Sequence, residues 1–171
     1  MGDRSGIEWT HVHRPDGAVL RGATWNIVTG CTKVSQACKF CYAEREWQRF
    51  SKAEGTRYFG RNFTDVQCHD DLLDVPLRWR APRGIFVNPR GDLFHESVPF
   101  AFVDKVIARM RVADWHIYQI LTKRPVRMLE YFESRHVEGW PFGHVWLGVS
   151  VEDQETADER IPLLLQIPAA V

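Results

Sequence analysis

Short β-type apolar runs and helically spaced apolar positions alternate along most of this chain. Ala23–Thr29 (ATWNIVT) has the β-branched and aromatic content of a strand and closes at Gly30. From about Phe40 to Lys52 the spacing turns helical. Tyr42, Trp47 and Phe50 mark one face, leaving Glu44, Arg45, Glu46 and Arg49 to face water. Ile85–Asn88 (IFVN) is a compact apolar run of the kind buried in a parallel sheet. Pro99 then opens a helix to about Val112, with Phe102, Val103, Val106, Ile107 and Met110 on its buried stripe. His116–Leu121 (HIYQIL) is the next strand, and Pro125 stands at the first position of a helix that runs to about Ser134. Val145–Val151 (VWLGVSV) is the last strand. Its helix opens on Glu152, Asp153, Glu155, Asp158 and Glu159, at the positive end of the dipole, and stops before Pro168. Residues 56–83 are less regular, with a short helix opened by Asp74 and Pro76 as their clearest element.

Four β–α repeats predict an α/β fold in which the strands run parallel and helices pack on the sheet. Residues 1–22 read as an N-terminal entry segment, with Ile7-Glu8-Trp9-Thr10 extended and Arg14-Pro15-Asp16-Gly17 a turn. Residues 23–171 are expected to form one domain, a partial TIM-barrel-like array of about four βα units. The alternatives are an open sheet and a truncated piece of a larger barrel. Val171 falls where a fifth strand would begin, which favours truncation. A truncated array would leave its last strand as an exposed edge, so the isolated chain is expected to self-associate or to be marginally stable.

Composition narrows the context more than the function. The 171 residues are 44% hydrophobic and 26% charged with a formal net charge of zero, so bulk charge points to neither nucleic acid nor a membrane. No apolar run approaches the roughly 20 residues of a membrane span. The start, Met1-Gly2-Asp3-Arg4-Ser5, lacks the apolar core of a signal peptide, so a cytoplasmic location is expected.

Cysteine placement is the feature with chemistry in it. Cys31, Cys38 and Cys41 fall within eleven residues, after the first strand and before the first helix. Thiols gathered this way without a secretory signal read as metal or iron–sulfur ligands rather than disulfides. Zinc would want a fourth ligand, for which Cys68 and His69 are the candidates, although Cys68 reads more simply as an inert thiol. A [4Fe–4S] cluster on three cysteines would keep one iron open to a cofactor or substrate. On spacing alone, zinc and cluster stand level. Parallel α/β folds carry their chemistry at the carboxyl ends of the strands. Besides the cysteine loop, those ends are Asn88–Glu96, Thr122–Arg124 and Ser150–Asp153.

A resemblance separates the two options. Ile7-Glu8-Trp9-Thr10, Ala23-Thr24-Trp25-Asn26, Thr29–Ser35 and Cys38-Lys-Phe-Cys41-Tyr42-Ala43-Glu44 are similar to the phage Gp37/Gp68-like proteins, an uncharacterised, DUF5131-type family. So are Asp92-Leu93-Phe94-His95, Tyr118–Pro125, Trp146–Glu152 and Ala157–Pro162, which extends the likeness over nearly the whole chain. That group in turn resembles a divergent branch of the radical S-adenosylmethionine (SAM) enzymes, with three cluster cysteines after the first barrel strand and an aromatic residue before the last. Phe40 holds that position.

The resemblance implies a [4Fe–4S] cluster on Cys31, Cys38 and Cys41 that binds SAM and cleaves it reductively, starting radical chemistry on an unknown substrate with an electron donor as partner. Phe40 would pack near the adenine. Asn88, Asp92, Thr122, Lys123, Ser150 and Glu152 are candidates for polar contacts to SAM or substrate, placed by strand-end position alone. The radical-SAM loop usually has three residues between its first two cysteines and a core of six βα units. Here six residues separate Cys31 from Cys38.

Plainer roles exist for each. Lys123 and Arg124 also read as a solvated strand end, Asp92 as a turn or N-cap residue, His95 as a structural hydrogen-bond partner and Glu152 as a dipole complement. Phe40, Trp47 and Phe50 would be core residues in any parallel α/β fold. A different class of function comes from residues 33–61. There Lys33, Lys39, Arg45, Arg49, Lys52, Arg57 and Arg61 outnumber Glu44, Glu46 and Glu54, with Trp47, Tyr58 and Phe59 interleaved. That pattern suits a zinc-stabilised nucleic-acid- or protein-binding module, or simply a solvated helix face.

Overall fold

The computed structural model describes residues 4–169. In chain order the elements are β1 (Val12–His13), β2 (Val19–Trp25), β3 (Val28–Thr29), α1 (Tyr42–Phe50), β4 (Gln67–Cys68), α2 (Val75–Arg78) and β5 (Arg83–Val87). Then come α3 (Phe100–Val112), β6 (Ile117–Thr122), α4 (Pro125–Ser134), β7 (Val145–Val149) and α5 (Gln154–Leu164). Strands β2, β5, β6 and β7 run parallel in sequence order, and β1 lies antiparallel against β2. This five-stranded sheet curls into a half-barrel with the helices outside it. β7 forms one of its edges.

Side-chain alternation gives the sheet two faces. Ala23, Trp25, Ile85, Val87, Tyr118, Ile120, Val145 and Leu147 point to the helices and share a core with Phe102, Val106 and Met110 of α3. Burying each large side chain there contributes about 1.5–3 kcal/mol. The polar tips stay satisfied, because Trp25 Nε1 donates to Leu72 O at 2.8 Å and the Tyr118 hydroxyl donates to Ala113 O at 3.2 Å. Phe86 and Gln119, paired in register, sit on the concave face.

The N-terminal part is more ordered than its composition suggests. Ile7–Thr10 is not extended: Glu8–Thr10 forms a 3-10 turn closed by Thr10 N–H to Ile7 O at 3.1 Å and by the Thr10 hydroxyl to the same oxygen at 2.6 Å. The turn lies across the concave face. Trp9 meets Phe86 edge-on at 4.6 Å between ring centroids, and Gln119 Nε2 donates to Trp9 O at 3.2 Å. Glycine is required beneath it, since a Cβ at Gly84 would fall 2.0 Å from Thr10 O. Residues 12–22, expected to be irregular, form the β1–β2 hairpin around the turn at Gly17. The strand expected over Ala23–Thr29 breaks at Asn26. There Asn26 Oδ1 accepts from Arg90 N–H at 3.1 Å, and the chain leaves the main sheet to pair β3 with β4.

Elsewhere the boundaries move by a few residues. Pro99 caps α3 rather than entering it, Asp153 caps α5, and the first helix begins at Tyr42 rather than Phe40. No helix among the described residues is long and apolar enough to cross a membrane.

Candidate functional site

The cysteine loop enters the site through a backbone position that only glycine fills without strain. Gly30 has φ +90°, and a Cβ there would fall 2.5 Å from Asp65 O. Its N–H donates to Arg90 O at 3.0 Å, and the next N–H, of Cys31, donates to Phe63 O at 2.9 Å. The chain then reaches a 3-10 turn, Gln36–Phe40, that contains Cys38. Cys41 follows and occupies the N-cap of α1, where the helix dipole favours negative charge.

All three sulfurs are free thiols and all three cysteines line one cavity of about 550 Å³ at the carboxyl ends of the parallel strands. Phe40, Asn88, Asp92, Thr122, Lys123 and Ser150 line it too, while Glu152 stands at its rim. Its opposite wall is apolar, made by Ile7, Trp9, Phe86 and Leu121. Phe40 is 88% exposed, so the expected core role falls away: its 3-10 turn projects it from the loop instead of packing it on α1. Trp47 is buried as expected.

Each polar residue has a definable task. Asp92 is buried and heavily committed. Thr122 Oγ1 donates to its two oxygens at 2.8 and 3.0 Å, and backbone N–H groups of Phe94 and Lys123 add bonds at 3.0 and 3.2 Å. Arg124 Nη1 completes the set at 3.3 Å. Asn88 takes a left-handed φ of 57° after β5, and its Oδ1 accepts from Val28 N–H at 2.9 Å. Asn88 lines the cavity, and its Nδ2 is buried with no hydrogen-bond partner among the described residues. Ser150 N–H donates to Thr122 O at 2.9 Å and so ties β7 to β6. Lys123 Nζ and Glu152 Oε1 form an ion pair, and Ser35 Oγ donates to the same carboxylate oxygen at 3.0 Å.

The thiols differ in electrostatics. Burial pushes Cys31 up to about 11, against the opposing Arg124 charge. At Cys38 burial also raises the pKa, but the Ser35 hydroxyl, the local backbone and Lys123 outweigh it, leaving the thiol below its ordinary value. His95 accepts at Nδ1 from Ser97 N–H at 3.1 Å, which puts its proton on Nε2, 2.9 Å from Thr32 Oγ1. Burial, with Arg124 nearby, lowers its pKa and keeps it neutral near pH 7. His95 thus braces the loop.

A family model described as a protein of unknown function, DUF5131, matches residues 4–171. The chain belongs to the DUF5131 family. Neither a curated protein nor a solved structure matches it.

In this member of the family the structure adds residues that strand-end reasoning did not single out. Arg124, read as part of a solvated strand end, is 5% exposed and connects three loops. Thr32 and Ser35 fasten the long Cys31–Cys38 segment at its root and tip. The signal available in the sequence was only that the segment carries a hydroxyl residue next to Cys31 and another at its middle. Cys68 lies on β4, away from the cavity lining, and the His69 ring meets the Thr29 hydroxyl at 2.7 Å. Among the described residues no three His, Cys, Asp or Glu side chains are already gathered to hold one ion. A tetrahedral zinc would draw its sulfurs to about 3.8 Å of one another, whereas a cluster spreads its thiolates over separate irons. Either arrangement would draw on the three thiols that line this one cavity.

Proposed function

We propose that this chain is a radical-SAM-type iron–sulfur protein, and that its family is the group also described as phage Gp37/Gp68-like. The observation that carries the reading is that Cys31, Cys38 and Cys41 all line one cavity at the strand carboxyl ends. In this reading the three sulfurs would hold a [4Fe–4S] cluster that binds SAM. When bound, the cluster supplies the electron that cleaves the sulfonium and starts radical chemistry on a substrate.

The chain's own residues orient and exclude. Asn88 would make a polar contact to SAM or substrate, Phe40 on the cavity lining would pack near the adenine, and Lys123, Ser150 and Glu152 hold the rim. Asp92 and Thr122 act from behind, by fixing Arg124 and the β6 loop. The partial TIM-barrel-like frame, a reducing cytoplasmic setting and an external electron donor belong to the same proposal. The test is an anaerobic SAM-cleavage assay with dithionite, followed by chromatography. Accumulation of 5′-deoxyadenosine that is lost in Cys38→Ala supports the reading, and intact SAM in the presence of a reduced cluster contradicts it.

The alternative is a zinc-stabilised nucleic-acid- or protein-binding module. Exposed Lys39, Arg45, Arg49 and Lys52 favour it. Against it, Trp47 and Tyr58 are buried, and Lys33, Arg57 and Arg61 pair with Glu44, Asp71 and Asp65. A salt-dependent affinity for single-stranded DNA that persists with zinc bound would move the balance to that module.

A further inference from the structure

We propose that Arg124 is a positioning residue of the three-cysteine site, holding the Cys31 sulfur and the root of the cysteine loop against the buried Asp92 carboxylate and setting the charge around whatever metal group the thiolates bind. The inference rests on the cysteine-ligand reading above and assigns the site a residue outside its ligand set.

The guanidinium uses every edge of its fork. Nε donates to the two Glu96 oxygens at 2.9 and 3.1 Å, and Nη1 donates to Asp92 Oδ2 at 3.3 Å and to Cys31 Sγ at 3.5 Å. Nη2 donates to Thr32 O at 3.1 Å and Thr32 Oγ1 at 2.9 Å. One side chain thus joins the loops that follow β3, β5 and β6. The Arg124 and Asp92 side chains are 4% and 7% exposed, so their attraction acts in a weakly screened environment. Glu96, 62% exposed, is screened by water and adds little.

Arginine is needed for this task. A lysine keeps the charge but presents one ammonium in place of a planar fork, and it cannot reach a sulfur, a carboxylate and a backbone carbonyl together. Lys123 shows the contrast one residue away: it serves the exposed rim through Glu152 and touches none of the three sulfurs by hydrogen bond. Hydrogen bonds to ligating sulfurs stabilise the more negative state of a metal–thiolate centre and raise its reduction potential. Removing the Arg124 donor therefore weakens metal binding and makes the potential more negative. A residue that merely knitted loops together would alter melting temperature and leave the potential alone.

Wild type, Arg124→Lys and Arg124→Gln are compared after anaerobic reconstitution, by iron and sulfide content, EPR-monitored redox titration and thermal unfolding. The expected result is a folded Arg124→Lys protein that binds iron about 10- to 100-fold more weakly with a potential below that of wild type. Arg124→Gln is expected to shift further the same way. If Arg124→Gln does not fold, Arg124→Lys decides. Wild-type iron affinity and potential in the lysine variant overturn the inference. If wild type itself takes up no cluster, the radical-SAM reading fails separately, and titration of the metal-free proteins with Co²⁺ then decides. Thiolate-to-cobalt absorption that saturates about 10-fold later in Arg124→Lys supports the Arg124 role. Equal affinity, or no cobalt taken up by wild type, overturns it.

Discussion

On its helix-covered face the sheet buries Trp25, Ile85, Tyr118 and Val145 completely, whereas on the concave face Trp9 and Leu121 stay 49% and 38% exposed. The first face is closed by α3 and the loop through Leu72, and its polar atoms are satisfied by backbone carbonyls. The second is crossed by one 3-10 turn and opens at its carboxyl end onto the cysteine loop. The contrast separates stability from chemistry. Apolar burial accumulates where nothing has to enter, and at the open end order comes from charged and polar bonds centred on Arg124 and Glu152.

The sharpest way to break this contrast is to remove a residue from the closed face. Trp25→Ala takes away the largest fully buried side chain and orphans Leu72 O, and is expected to cost about 3–5 kcal/mol in chemical denaturation. At the mouth, Asp92→Asn leaves the buried Arg124 with the exposed Glu96 as its one ion-pair partner among the described residues, and about 3 kcal/mol should be lost. A loss near zero would mean that the mouth is not held by its buried charges.

A pH series tests the polar packing at the base of the cysteine loop. Burial, with Arg57 and Arg61 nearby, holds His69 at about 4, below its ordinary 6.5. The unfolded chain takes up this proton near pH 6.5 and the folded chain only near 4, so stability is full above that window and falls as pH drops through it. The expected loss is on the order of 2 kcal/mol, and His69→Gln should flatten it. The smallest effect belongs to the concave wall. Leu121→Ala is expected to change stability by less than about 0.5 kcal/mol. A larger loss would show that the concave face is part of the core.

Much of the frame was legible because period carries it. The stripe Phe102, Val103, Val106, Ile107 and Met110 is buried as its spacing requires, and Pro125 opens α4 where its fixed φ suits a first helical turn. The cysteine loop was legible as a thiol cluster, and the strand-end rule brought Asn88, Thr122 and Ser150 to the same cavity. What escaped was settled by tertiary contacts. Ile7–Thr10 has strand-like residues but turns tightly to lie over Gly84. Asn26 ends a strand because Arg90, far along the chain, donates to its side chain. Arg124 looked like an exposed charge because its partners, Asp92, Glu96 and Thr32, are distant in sequence.

The central claim is that Cys31, Cys38 and Cys41 together carry an iron–sulfur cluster. The direct test is iron and sulfide analysis, with absorption and EPR spectra, of anaerobically reconstituted wild type and of the variant with all three cysteines changed to Ala. The account predicts a brown wild-type protein containing both iron and sulfide, and a colourless variant that holds neither. Stoichiometric zinc in protein expressed anaerobically with ample iron, and no cluster after reconstitution, would contradict it.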